Sequence, residues 1–482
     1  LRARKVLATG VGLGLAACVD AEPPGAPPRT PALADTPWPI AHQSAWAQAS
    51  SDLPVVHPDE GVTVERLATD YVSITHAYAP PHGDGRQVVW ASSPTAVRKI
   101  ARDGDLAVLA EAPREGGLGN LLSGAYTFVD ADGRFFVAEA DRIVRFDDDR
   151  GDAASPITRG AEWVLTDRLP DEDIVALGLT AAGEVVWATS LGRVGLATRD
   201  LVPLDTLQLD GAARVSNSLA TDDRGGVYIV TESAMHRCVA REGTLSTNEA
   251  DGAWSAPYRT TTDPAPGRLG IGSGSTPTLM GPQDDPNARL VVITDGQPLM
   301  HLVAFWAGDI PEDWQGLAPD RDRRIAAEVP ITFGDPTRTR SISEQSVLVS
   351  GWSMLVVNND YGPDAAPGMA PVLAGDAPLG VEQHTWDPAR RALTRTWVRT
   401  DRSCPNGIPA MSRPSGVALC VGRRGPTWTV EALDWATGAD AWHVPLGDDN
   451  GVNSVYAAIE VGADGEIVSG TLEGMVRVRR AE

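Results

Sequence analysis

The chain has 482 residues, 42% hydrophobic and 22% charged, which excludes a disordered polypeptide and allows a large buried core. Its 49 Gly and 37 Pro are scattered rather than clustered, as an all-β fold rich in turns requires. A net charge of −23 without any basic stripe excludes nucleic acid as a natural partner.

In chain order, the first element is a targeting segment. Arg2, Arg4 and Lys5 precede an apolar run from Val6 to Ala17, too short to span a bilayer. The run ends in Leu15-Ala16-Ala17-Cys18, which resembles the bacterial lipobox. That resemblance implies a signal peptide over 1–17, removed on export, and a lipid on Cys18 that anchors the protein to a membrane. Its loss leaves a net charge of −26. Val19 after the cysteine is similar to proteobacterial lipoproteins sent to the outer membrane. Residues 18–37, with six prolines, read as an extended tether before a domain over 38–482.

Along that domain one element recurs eight times, a polar or Gly-bearing turn followed by a β-branched or aromatic run. The copies are 84–92 (DGRQVVWAS), 132–140, 182–190, 224–233, 287–296, 351–360, 414–424 and 464–472. Each is a hairpin signal, usually with an apolar segment before it and often an alternating one after it. Three or four strands repeated eight times predict a single β-propeller, eight-bladed, with seven blades as the nearest alternative. No amphipathic helix longer than about three turns is expected. Longer stretches near 234–288 and 296–344 predict one embellished face.

Two segments carry a closer resemblance. Residues 432–442 (ALDWATGADAW) resemble the repeat signature of quinoprotein-like propellers, and 36–50 (TPWPIAHQSAWAQAS) resembles the segment leading into them. The resemblance implies an eight-bladed fold shared by quinone-dependent dehydrogenases and by non-enzymatic lipoprotein scaffolds. The signature is clear once here, and no two cysteines are adjacent, so it speaks to fold rather than chemistry.

Candidate site residues lie where strands begin or end. Asn217, Glu344, Asn406 and Asn453 each precede an innermost strand, near the mouth of the central channel. Converging there, three amides and a carboxylate would suit Ca²⁺. Lactonase-type propellers use a similar inner-rim set to polarise a carbonyl, which implies a Ca²⁺-dependent lactonase or esterase. The same Asn residues also suit Asx-turns with no ligand. A second candidate rim, for a ligand, is Asp295, Asn358, Asn359 and Asp360, with turn-forming as its alternative. GIGSGSTP (270–277) fails the nucleophile-elbow spacing.

Lys5 and Lys99 are the lysines of the chain, and Lys99 reads as a solvated surface residue. Besides Cys18 there are Cys238, Cys404 and Cys420, an odd number. Cys404 and Cys420 flank one predicted turn, a spacing that permits a disulfide without demanding it. No CxxC or HExxH occurs, so zinc is not expected. The expected function is thus a monomeric, outer-membrane-anchored propeller presenting an acidic face to a ligand or an envelope protein. The alternatives are the Ca²⁺-dependent hydrolase and, behind it, a quinone-dependent oxidoreductase.

Overall fold

The structure, a computed structural model, describes residues 25–115, 123–209, 214–261 and 265–481. The signal segment and Cys18 lie outside the described residues.

Eight antiparallel sheets follow one another along the chain, over residues 76–113, 128–164, 174–208, 220–257, 278–330, 348–403, 410–447 and 457–480. They form blades 1 to 8 of a β-propeller, the expected architecture. The one α-helix among the described residues is the five-residue Ala370–Ala374.

The recurring sequence element is the hairpin between the first and second strands of each blade. In five blades its geometry is the same. Gly85, Gly133, Gly183, Gly225 and Gly465 have φ between 75° and 84°. In each, the residue three before the glycine donates its N–H to the carbonyl of the residue after it, and in all but the Gly225 turn it also accepts the glycine N–H, as in Thr180→Glu184 and Gly183→Thr180 at 2.9 Å. A left-handed residue at this place re-aims the chain into the second strand, which is why glycine holds it. A Cβ on Gly225 would stand 2.1 Å from the Ala240 carbonyl oxygen.

The second strands, such as Val88–Ser92, Phe135–Glu139 and Val185–Thr189, are buried on both faces because blades pack face to face. Hence they read as continuous apolar runs. Outer strands such as Pro203–Gln208 meet solvent. The ring closes with the chain's beginning. Val62–Ala68 pairs antiparallel with Gly474–Arg480 as the outermost strand of blade 8, in register from Val62↔Arg480 to Ala68↔Gly474.

The tether expectation fails from residue 33 onward. Leu33 and Ala34 are buried, and Leu33 bridges to Asp130. Proline content does favour an extended chain here, but Leu33 and Ala34 are buried among apolar residues of blades 1 to 3. From there the segment runs as a strap along the inner strands of the channel. Backbone N–H groups of Tyr78, Thr221, Leu279, Val349 and Met411 donate to carbonyls of Trp38, Ala45, Trp46, Gln48 and Ala49, at 2.8 to 3.2 Å. With Ala41 donating to Thr127, the strap is bonded to six blades. Ser50–Ser51 ends it as a parallel addition to the inner edge of blade 7.

The insertions do not share one face. In these meanders, connections between blades and loops between the second and third strands open on one side, the other two hairpins on the opposite side. The connections into blades 5 and 6 and the 358–378 loop lie on the first side, whereas 307–324 lies on the second. Length alone could not reveal which hairpin of a blade was extended.

Candidate functional site

The channel is filled from one end by the strap. His42 and Gln48 are buried there, while Trp38 and Trp46 of the strap are buried among apolar residues of the blades. The His42 Nε2 lies 3.2 Å from Thr276 Oγ1 and 3.4 Å from Ser346 Oγ, with the Tyr126 ring 5.9 Å away. Burial drives the imidazole pKa down to about 4, so it is neutral.

The other end is capped by the loop before blade 5, the 358–378 loop and the connection into blade 8. Arg268, in the run PGRLGIG (266–272), is buried at the centre of this cap. It donates to Glu344 Oε1 at 3.1 Å and to the carbonyls of Gly272, Gly296 and Asp295 at 2.7 to 3.3 Å. The Leu269 N–H donates to Glu344 Oε2 at 3.1 Å, so both carboxylate oxygens are engaged. Burial raises the Glu344 pKa, with Arg268 and the Leu269 N–H opposing that rise. The Glu344 N–H donates to Asn359 Oδ1 at 2.8 Å, and Asn359 Nδ2 to the Pro405 carbonyl at 2.6 Å. Asn406 Nδ2 donates to Asn453 Oδ1 at 2.8 Å, while Tyr361 donates to Asn406 Oδ1 at 3.2 Å. The Tyr456 hydroxyl closes the net on the Gly267 carbonyl at 3.0 Å.

The structure thus brings Glu344, Asn359, Asn406 and Asn453 into one hydrogen-bonded network. Asn217 joins the same cap by donating to the Ser273 carbonyl at 2.9 Å. The oxygens that Ca²⁺ would need on Glu344, Asn406 and Asn453 already accept protein donors. A cation there would have to displace Arg268, which the donor set as arranged does not favour. The sequence reading missed Arg268, Tyr361 and Tyr456. Its available signal was an arginine amid glycines, where backbone carbonyls can approach a guanidinium.

Of the rest of the second rim, Asp295 meets that network through its backbone carbonyl alone, and Asn358 and Asp360 lie apart from it. Asp360 Oδ1 accepts from Arg340 Nε at 2.8 Å, and Asn358 Oδ1 accepts the Asp360 N–H at 3.0 Å. Asp295 fastens its own loop by accepting the His301 N–H at 2.8 Å, and its Oδ2 lies 3.0 Å from His301 Nδ1. Asp295, His301 and Glu328 bring one ligand atom each within 4.8 Å of one another. However, Arg321 Nε donates to Glu328 at 2.5 Å and Arg259 stands 3.7 Å from it, so two guanidiniums already neutralise the group.

Lys99 corrects the surface expectation: it is fully buried. Its strand, Ala96–Ala101, is covered on both faces. The Nζ donates to Asp148 Oδ2 at 2.8 Å and to Ser155 Oγ at 3.2 Å, joining blade 1 to blade 2. Burial alone would raise the Asp148 pKa, but hydrogen bonds from Lys99 and His82 bring it below the ordinary value. Cys404 and Cys420 form a disulfide with Cα atoms 5.5 Å apart, tying the connection into blade 7 to that blade's second strand. Cys238 is a free, buried thiol pushed up to about 12 by burial.

These features define an eight-bladed propeller whose channel is strapped at one end and capped at the other. The chain belongs to the same family as an uncharacterized protein of Archaeoglobus fulgidus, 38% identical over 465 residues, covering 93% of this chain and 88% of the relative. No protein-family model matches it. It is 27% identical to the bifunctional protein HldE of Streptomyces coelicolor over 210 residues, 38% of this chain and 44% of that one. Among solved structures it is similar to BamB from Moraxella catarrhalis, with 12% identity, a TM-score of 0.48, and 87% and 98% of the two chains covered. It is also similar to streptogramin B lyase, with 10% identity, a TM-score of 0.40 and the same coverage. These last two are likenesses of fold.

Proposed function

We propose that the protein is a non-catalytic binding propeller of the cell envelope, held to the membrane through Cys18, which uses its loops to engage a ligand or protein partner. The observation that carries this reading is the state of the channel. Its axis is filled by the chain's own strap, and the polar side chains at its capped mouth are bonded to one another rather than aimed at an open space. A catalytic constellation needs, beside its mutually bonded groups, a place where a reacting atom can sit. The Cys404–Cys420 disulfide supports an oxidising, exported location.

The test combines capture and chemistry on the purified protein. Expected are no stoichiometric metal after dialysis, no turnover of lactones or esters, recovery of an envelope partner after cross-linking, and release from membranes by Cys18→Ser. One tightly held Ca²⁺ with a chelator-sensitive melt, and hydrolysis lost in Glu344→Ala, would replace this reading with the Ca²⁺-dependent hydrolase.

A further inference from the structure

On the capped face, a groove of about 470 Å³ lies at the seam between blades 5 and 6. Its walls come from the connection 331–347 and from both ends of the 358–378 loop. Most polar side chains that line it are already satisfied. Asp360 is held by Arg340, and Asn358 donates to the Leu379 carbonyl at 2.9 Å. Asp335 Oδ1 accepts both the N–H and the hydroxyl of Thr337, at 2.9 and 2.7 Å.

Arg338 is the exception. Its guanidinium lies 5.7 Å from the centre of the buried Phe333 ring, a contact that fixes its orientation without using its N–H groups. The Nε is buried with no hydrogen-bond partner, and no carboxylate among the described residues pairs with the group. The Asp335 carboxyl in the same groove, held below its ordinary value first by its hydrogen bonds from Thr337, also feels the Arg338 charge, yet no direct ion pair between the two is formed among the described residues. Beside it the groove turns apolar. Pro378 lines the wall and Leu379 is 50% exposed, among the most exposed large hydrophobics of the fold.

We propose that this groove binds a carboxylate flanked by an apolar group, with Arg338 as the anion-binding residue and Leu379 and Pro378 as the apolar wall. A free polypeptide C-terminus ending in an aliphatic residue presents that combination, and so does a small branched-chain carboxylic acid. A guanidinium grips a carboxylate through two parallel N–H donors, and the neighbouring alkyl group covers Leu379 from water. The proposal rests on the binding reading above and names the chemistry of its ligand.

The experiment is calorimetric titration of the full protein with acetyl-Ala-Ala-Leu, its C-terminal carboxamide and 4-methylpentanoate. The free acid of the tripeptide is expected to bind about tenfold or more tightly than its carboxamide. Arg338→Met should lose that preference, Arg338→Lys should keep part of it, and Leu379→Asn should weaken both tripeptides. Unchanged melting curves would show that each variant is folded. Stronger binding of 4-methylpentanoate than of the tripeptide acid would assign the groove to small carboxylic acids. Equal binding of acid and amide, wild-type affinity in Arg338→Met, or no binding at millimolar concentration would overturn the proposal. Partner capture that persists in Arg338→Met overturns the groove alone, whereas absence of any partner overturns the broader reading.

Discussion

His42 shows how one buried residue can set the protein's response to acid. In the unfolded chain it titrates at the ordinary 6.5, and in the strap at about 4. Below 6.5 the unfolded state therefore binds the extra proton, and stability falls until the pH drops through the folded value. The two values imply a loss of about 3 kcal/mol from this group between neutral pH and pH 4. Denaturant melts at pH 7.5 and 4.5 should show that slope in the wild type and a shallower one in His42→Asn, which retains tolerance of the left-handed backbone. Equal slopes would mean that other groups govern the acid limb. At this scale the sequence was only partly legible. Asn217, Glu344, Asn406 and Asn453 could be placed at strand beginnings, because position in a hairpin repeat is local information. Their partners are not local: Arg268 lies 76 residues before Glu344. Lys99 was misread for a related reason, since alternation in AVRKIARDG suggests an outer face, while blade packing covers both.

Among elements, the hairpins and the strap stand at opposite ends of legibility. The hairpins repeat because a turn of fixed length needs glycine at one left-handed position, and that need is written in the sequence. The strap has left-handed residues that are not glycine: His42, Gln43, Ala47 and Ala49, with φ from 54° to 76°. Each is disfavoured on its own, and His42, Ala47 and Ala49 are bonded to distant blades, so no local pattern announces the strap. Trp46 is its largest anchor, buried with the Arg289 guanidinium 4.8 Å from its ring centre. Trp46→Ala should cost about 3–5 kcal/mol and lower the melting midpoint by many degrees. Deleting residues 33–51 should leave blades 1, 2 and 4 to 7 without their axial backbone partners and abolish the cooperative melt. A deleted chain that still melted sharply would show that the strap merely occupies space.

For the whole molecule, closure depends on the pairing of Val62–Ala68 with Gly474–Arg480. Arg477, fully buried, reinforces it by donating to Glu65 at 2.6 Å and standing 3.8 Å from Glu466. A chain ending at residue 473 would lose that strand and expose an unpaired edge on blade 8. It is expected to lose its sharp unfolding transition and to aggregate, as light scattering on heating would report. Retention of a monomeric, cooperative fold would mean that the ring tolerates an open seam. The closure was hidden in the sequence because the alternating run at 62–68 has no hairpin neighbour to mark it as a strand.

That closure also orders the protein's biogenesis. Glu65 and Arg477 are 412 residues apart, so the first outer strand is made long before its partner exists. At ordinary translation rates the wait is roughly 20 to 80 s. Throughout it, the strap has no finished channel to line and the strand has no sheet to join. If the chain is exported as proposed, it crosses the membrane with an apolar leading end and completes its ring only once its tail is released. Wherever it folds, shielding that leading end until the tail exists is a demand that this topology sets.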